Sequence, residues 1–393
     1  MSTFACNVVS IDSVDDHPNA DRLSLVRIGG YVCISAKLED GAHRYKANDL
    51  VVYIPEAAVL PEWMLKQMDF WKEGRGTLNG SRGDRVKAIK LRNIVSQGVL
   101  YQLEQKMGGW VLNADDERVR KVVTLGEDVR GLLDIIKYEP PIPVHMAGEV
   151  TGLHGKTVKF DVENWQRYPN LFESDELVVA TEKLHGTFAA LCYWPGLNHG
   201  ELLNKEWFAY SKGLGGQGLV FKHNERNANN LYQRQLVEGG IVERVTEHFK
   251  AVWSAERMNG FTYSKDWPIT IMGEIFGRGV QDLQYGQAKP TFRVFDVFVG
   301  EPDQGFWLNW SELTSWCKAV GLDMVPVLYE GLYDETVLIA LRDGRDTISG
   351  ANIREGIVIK SQANRRTDEI GRAMLKMVSP AYLLRKGDAT EFQ

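Results

Sequence analysis

The sequence predicts an α+β protein in two parts, a small β-barrel followed by a larger mixed α/β domain. Three observations predict this. The first third of the chain is a succession of short β-branched and apolar runs cut by turn residues, with no long helical pattern. Pro140, Pro141 and Pro143 then form a cluster that can continue neither a helix nor a central strand. Beyond it, strand-like runs alternate with segments of helical spacing.

In chain order, FACNVVSIDSV, LSLVRIGGYVCISAK and DLVVYIPEAAVL read as strands, punctuated by His-Pro-Asn, Gly-Gly and Lys-Ala-Asn-Asp. RVKAIKLRNIVSQGVLYQL continues the alternation, and strands this closely spaced close most simply into a small barrel. The proline-rich KYEPPIPVHMAGEV is stiff and extended, so the expected domains are 1–145 and 146–393. In the second domain, NNLYQRQLVEGGIVERVTEHFKAVWSAERM has helical spacing, and WPITIMGEIFG, TFRVFDVFVG and EGIVIKS read as strands. WSELTSWCKAVGL reads as a helix with Ser311 as its expected N-cap.

Composition narrows the function classes. With 44% hydrophobic and 25% charged residues over 393 positions, the chain can build two or three ordinary globular cores. A formal net charge of -6 excludes a non-specific nucleic-acid coat, while leaving room for a local basic groove. No apolar run is long enough to cross a membrane, and the N-terminus lacks the pattern of a signal peptide. Cys6, Cys33, Cys192 and Cys317 lie far apart, which argues against a zinc site and fits reduced thiols in a cytoplasmic protein.

The chemistry begins with TEKLHGTFAALCYW, where Lys183 ends an apolar run and a second apolar run follows. A lysine amine attacks only after losing its proton, and desolvation or a neighbouring cation lowers its pKa from about 10.4. A strand end opening into a cleft supplies both, and Gly186 would admit close backbone approach to a ligand. On this segment alone, a surface lysine with its stem on apolar neighbours reads equally well. Other segments shift the balance. Glu274 follows ITIM, Phe295 and Asp296 lie within FRVFDVFV, Glu355 precedes a glycine, Lys360 ends an apolar strand, and Lys376 sits in MLKMV. Charges recurring at strand ends point to one polar pocket lined by a sheet.

The order of these segments resembles the covalent nucleotidyltransferases, the polynucleotide ligases and mRNA capping enzymes. TEKLHGT is similar to motif I, YSKGLG to motif Ia, MGEIFG to motif III, FRVFDVFV to the motif after it, EGIVIK to motif IV and the Lys376 run to motif V. The Glu-Lys-x-His-Gly form resembles nick-sealing ATP-dependent RNA ligases, whereas DNA ligases and capping enzymes usually carry Lys-x-Asp-Gly. HPNADRLSLVRIGG and KLRNIVSQGVLYQL resemble the OB-fold module of certain tRNA-binding proteins, and an OB module ahead of the catalytic domain marks one branch of these ligases.

The resemblance implies a nucleotidyltransferase (ligase adenylylation) domain in which Lys183 takes AMP from ATP through a phosphoramidate bond. It implies that Glu182 contacts adenine or positions the lysine, that Lys212 contacts ribose or phosphate, and that Glu274 binds the ribose hydroxyls. Phe295 would stack on adenine, with Phe292 and Phe298 as rivals and a packed core strand as the competing reading. Glu355 would hold Mg²⁺ or Mn²⁺, and Lys360 and Lys376 would bind phosphates. The family's motif V usually carries two alternate lysines. Only Lys376 stands here, between Met374 and Val378, so Arg372 or Lys360 would supply the second contact. The partner would be RNA or an RNA/DNA nicked duplex, met by a monomer. Another covalent nucleotidyltransferase or a non-catalytic RNA-binding protein are the alternatives.

Overall fold

The computed structural model describes residues 4–114, 119–138, 146–254 and 267–385, with side chains omitted over 249–254. Two compact units emerge. One takes the chain before the proline-rich stretch, Glu163–Leu171, and the residues from Met377 on; the other takes the residues leading to Val162 and then Phe172–Lys376. The division is therefore not a single cut. Pro140, Pro141 and Pro143, on which the expected boundary at 145 rests, lie outside the described residues.

The first unit carries three three-stranded sheets, each antiparallel. They are ordered Val8–Ser10, Leu50–Ile54, Val99–Gln102; Ser13–Asp16, Leu23–Ile28, Tyr31–Ala36; and Glu104–Lys106, Gly109–Ala114, Val119–Val123. The alternation read from the sequence is the cause. In Leu50–Ile54 the residues Val52 and Ile54 enter one apolar cluster, while Val51 and Tyr53 enter a second on the other face. Gly29 and Asn48 adopt positive φ at the turns the sequence marked. A short helix, Glu62–Gln67, was not legible, because Pro61 before it reads as a strand end.

The second unit is built on two sheets. One is five-stranded and antiparallel, in the order Trp207–Ser211, Thr187–Tyr193, Ile269–Phe276, Thr291–Val299, Phe306–Trp307. The other contains Gly356–Ser361, Leu177–Lys183 and Val327–Leu332 in that order. Apolar residues from helices Leu231–Glu238, Ile241–Ser254 and Trp310–Val320 join the core under the first sheet. The helical stretch that the sequence reads as continuous is split, because Gly240 takes φ 61° between the first two helices. The N-cap of Trp310–Val320 is Asn309 rather than Ser311. Asn309 Oδ1 accepts the Glu312 N–H at 3.0 Å, and Glu312 returns a bond to the Asn309 N–H at 2.8 Å. Ser311 instead lies inside the first turn and donates to Asn309 Oδ1 at 2.9 Å.

Candidate active site

Lys183 is the last residue of Leu177–Lys183, and the next strand, Thr187–Tyr193, belongs to the other sheet. Leu184–Gly186 is thus the crossing between sheets, which answers why a cation stands between two buried strands. Lys183 pairs in register with Gly356, so the residue before that glycine, Glu355, comes alongside. Lys183 Nζ donates to Glu355 Oε1 at 3.0 Å, with side-chain exposures of 15% and 1%. Such a charge pair, mostly withdrawn from water, is screened far less than one at the surface.

The crossing is tightly held. The His185 N–H donates to the Tyr285 hydroxyl at 2.7 Å, and its ring Nε2 meets Asp282 Oδ1 at 2.5 Å. A Cβ on Gly186 would stand 2.1 Å from the Ile275 carbonyl oxygen, so glycine is required there by packing against the neighbouring strand. That requirement exists in the fold itself, apart from any ligand.

Glu182 leaves its strand on the opposite face from Lys183. Its buried carboxylate accepts from the Thr347 N–H at 2.9 Å and from the Thr347 hydroxyl, with Arg354 Nε 4.0 Å away. Burial pushes this carboxyl above its usual range, against the pull of the Thr347 hydrogen bonds and the Arg354 charge. Its arrangement ties Leu177–Lys183 to the loop at Thr347.

Lys360 also has surroundings the sequence did not convey. It is 5% exposed, and its Nζ donates to the Phe295 carbonyl oxygen at 2.6 Å and lies 3.4 Å from Asp296 Oδ2. Arg372 Nη1 reaches the same Asp296 oxygen at 2.8 Å, and its Nη2 donates to Asn364 Oδ1 at 2.7 Å. Burial pushes the Lys360 amine below its usual range, overriding the attraction of Asp296. Both cations offered for the second phosphate contact are therefore engaged with Asp296, and a buried charge whose partner is withdrawn is costly. Lys376 is half-buried in Met374–Val378.

Phe295 belongs to a half-buried aromatic group. Phe160 sits at its centre, with ring centroids 5.0 Å from Phe295, 5.7 Å from Phe188 and 5.6 Å from Trp307. Arg372 caps Trp307 at 4.3 Å. Of the rivals, Phe298 is buried in the core and Phe292 packs against the helix-side cluster. Glu274 stands in register opposite Phe188 and Arg293 on the strand that carries Ile275. Lys212 opens helix Lys212–Gly216 and pairs with Asp161 at 2.7 Å while half exposed. Among the described residues, no three His, Cys, Asp or Glu side chains gather as a metal cage.

Comparison with known proteins decides the family. The profile of the RNA ligase family matches residues 176–378, just over half of the chain and all of the segments that carry Lys183, Glu274, Glu355 and Lys376. The chain belongs to the RNA ligase family. A second profile, of an OB-fold domain, matches residues 5–103. No curated protein matches the chain. Among solved structures, a Naegleria gruberi RNA ligase mutant with ATP and Mn superposes with TM-score 0.71 at 19% identity, covering 97% of this chain and 98% of that one. A mutant of the same ligase with AMP and Mn gives TM-score 0.70 at 19% identity, covering 96% and 98%. An apo mutant gives 0.68 at 19%, covering 97% of each. At this identity the likeness shows a shared fold: an OB-fold domain followed by a nucleotidyltransferase domain.

Within the RNA ligase, the structure brings Lys183, Glu355 and Gly186 together at one crossing, and Phe295, besides its aromatic neighbours, packs against the apolar cluster of Leu184, Phe276, Tyr285 and Val325. Sequence reading missed Phe160, Trp307, Asp282 and Tyr285. Phe160 lies in an irregular stretch and Trp307 in a two-residue strand, too short for any periodicity to mark them. Asp282 and Tyr285 lie in GRGVQDLQYGQ, whose density of glycines was the available signal for a constrained loop.

Proposed function

We propose that this protein is an ATP-dependent RNA ligase that joins a 3′-hydroxyl to a 5′-phosphate in RNA, in nicked duplexes whose 3′-hydroxyl strand is RNA. The carrying observation is the single lysine, Lys183, held 3.0 Å from a buried glutamate at a crossing between two sheets. Relatives of the same fold bound to ATP or AMP with Mn support the choice of nucleotide and metal class.

The chemistry is phosphoryl transfer, in which positioning and charge neutralisation dominate. Lys183 attacks the α-phosphorus of ATP, a P–N bond forms, and pyrophosphate leaves. The AMP passes from Lys183 to the 5′-phosphate of the strand, and the 3′-hydroxyl then displaces AMP to form the phosphodiester. Lys183 must first lose a proton, and Glu355 is the acceptor its amine already faces. The half-buried ring of Phe295, with Phe160 beside it, offers the adenine an apolar face. Glu274 would receive the ribose hydroxyls, and Lys212 and Lys376 would meet phosphate oxygens.

The residues present fit a divalent cation of the Mg²⁺ or Mn²⁺ class. Such ions take one or two carboxylates together with substrate phosphates rather than an all-protein cage, and Glu355 is the buried carboxylate at hand. Bound there, the ion would supply charge neutralisation at the phosphates. The N-terminal module would grip the nucleic acid through phosphate contacts and stacking, in the service of RNA repair in the cytoplasm.

A site built to hydrogen-bond a 2′-hydroxyl loses orders of magnitude in rate when the group is missing. The test is sealing of four nicked duplexes that pair RNA or DNA on each side of the break. The reading expects strong preference for RNA at the 3′-hydroxyl side and tolerance of DNA at the 5′-phosphate side. Equal rates with a DNA 3′-hydroxyl end would favour a DNA ligase.

A further inference from the structure

We propose that Asp282 is a positioning residue for the nucleophile, acting through His185. The inference rests on the reading of Lys183 as the AMP-accepting lysine. Leu184–Gly186 lies outside both flanking strands, so the sheet ladders alone do not fix it. Two attachments reach it from the loop that follows strand Ile269–Phe276. The Tyr285 hydroxyl takes the His185 backbone N–H at 2.7 Å, and Asp282 holds the ring at 2.5 Å. Beneath them Leu184, Phe276, Tyr285 and Val325 pack as one apolar cluster.

The two side chains of the second attachment differ in setting. The His185 side chain is 0% exposed, whereas that of Asp282 is 43% exposed. An ionised carboxylate only accepts hydrogen bonds, so Nε2 is the nitrogen that carries the hydrogen. A wholly buried ring bonded to a carboxylate is an anchor for its own backbone, and that backbone begins two residues after Lys183. The loop can deliver both groups because Tyr285 and Gly286 turn it at φ 51° and 67°. Removing Asp282 leaves a buried N–H without its acceptor, and the crossing shifts to satisfy it. The amine of Lys183 then leaves its line to the α-phosphorus, where a displacement of about 1 Å costs up to roughly a hundredfold in rate.

The experiment measures single-turnover attachment of labelled AMP across ATP concentrations. It compares the wild type with Asp282→Ala, Asp282→Asn, His185→Ala and the double alanine variant, each with its thermal unfolding. Asp282→Ala is expected to lower the maximal rate by roughly ten- to a hundredfold. The ATP concentration at half-maximal rate should stay within about twofold, since the loss is one of alignment. Asp282→Asn, whose carbonyl oxygen still accepts the ring N–H, should recover most of the rate. In the His185→Ala background, Asp282→Ala should have no further effect. The proposal is overturned by a wild-type rate in Asp282→Ala, by an undiminished loss in the His185→Ala background, or by Asn no better than Ala with both losses following the melting temperature. Failure of the underlying ligase reading looks different, because the wild type itself would then retain no label.

Discussion

Along Leu177–Lys183, neighbouring side chains leave the sheet on opposite faces, so Glu182 and Lys183 meet different surroundings despite being adjacent. Burial raises the Glu182 carboxyl above its ordinary pKa of about 4.3, so the folded state holds this proton more tightly than the unfolded chain does. Its contribution to stability is therefore fully present below the unfolded value and is lost as pH rises through the folded one. Gln at this position cannot ionise, and its carbonyl oxygen can still accept both Thr347 donors. The melting temperature of Glu182→Gln should gain on the wild type as pH rises from about 4 to about 7. A difference that stays flat over that range would show that burial does not penalise the carboxylate. The placement of Lys183 and Glu355 at strand ends was legible from the apolar runs beside them. The engagement of Glu182 with Thr347, and of Lys360 with Asp296, was not, since both depend on partners more than sixty residues away in sequence.

At the scale of elements, periodicity revealed the strands around Glu274, Phe295 and Glu355, because each alternates or runs apolar between turn signals. Helix ends were less legible. Ser311 and Asn309 are both good caps, and only backbone geometry selects between them. Asn309→Ala should destabilise the protein by about 1 kcal/mol through loss of the reciprocal bonds with Glu312. Ser311→Ala, with the cap intact, should change stability by less than about 0.5 kcal/mol. Denaturant unfolding of the two variants reads the difference, and the reverse order would restore Ser311 as the cap. The break between Leu231–Glu238 and Ile241–Ser254 lay in plain view as a Gly-Gly pair, yet helical spacing continues across it and hides it.

For the whole molecule, the sequence divided the chain once, while the structure returns Glu163–Leu171 and the residues from Met377 on to the N-terminal unit. Linear order cannot reveal such a return. Gly30 donates its N–H to the Gln166 carbonyl oxygen at 2.9 Å, and a Cβ on Gly30 would come 2.6 Å from the Gln166 Cα. A fragment of residues 146–393 loses that partner. It should melt below the full chain, still attach AMP because Lys183, Glu274, Glu355 and Lys376 all remain, and fail to seal nicked duplexes. Sealing by the fragment at the full-chain rate would remove the nucleic-acid role of the N-terminal module. The central claim, that Lys183 carries AMP, is tested most directly by incubating the protein with ATP labelled at the α-phosphate, denaturing it, and mapping the labelled peptide. The account predicts label on the peptide containing Lys183, and none in Lys183→Ala or in Lys183→Arg, whose guanidinium stays protonated and cannot attack. Label retained by either variant, or found on a different lysine, would contradict it.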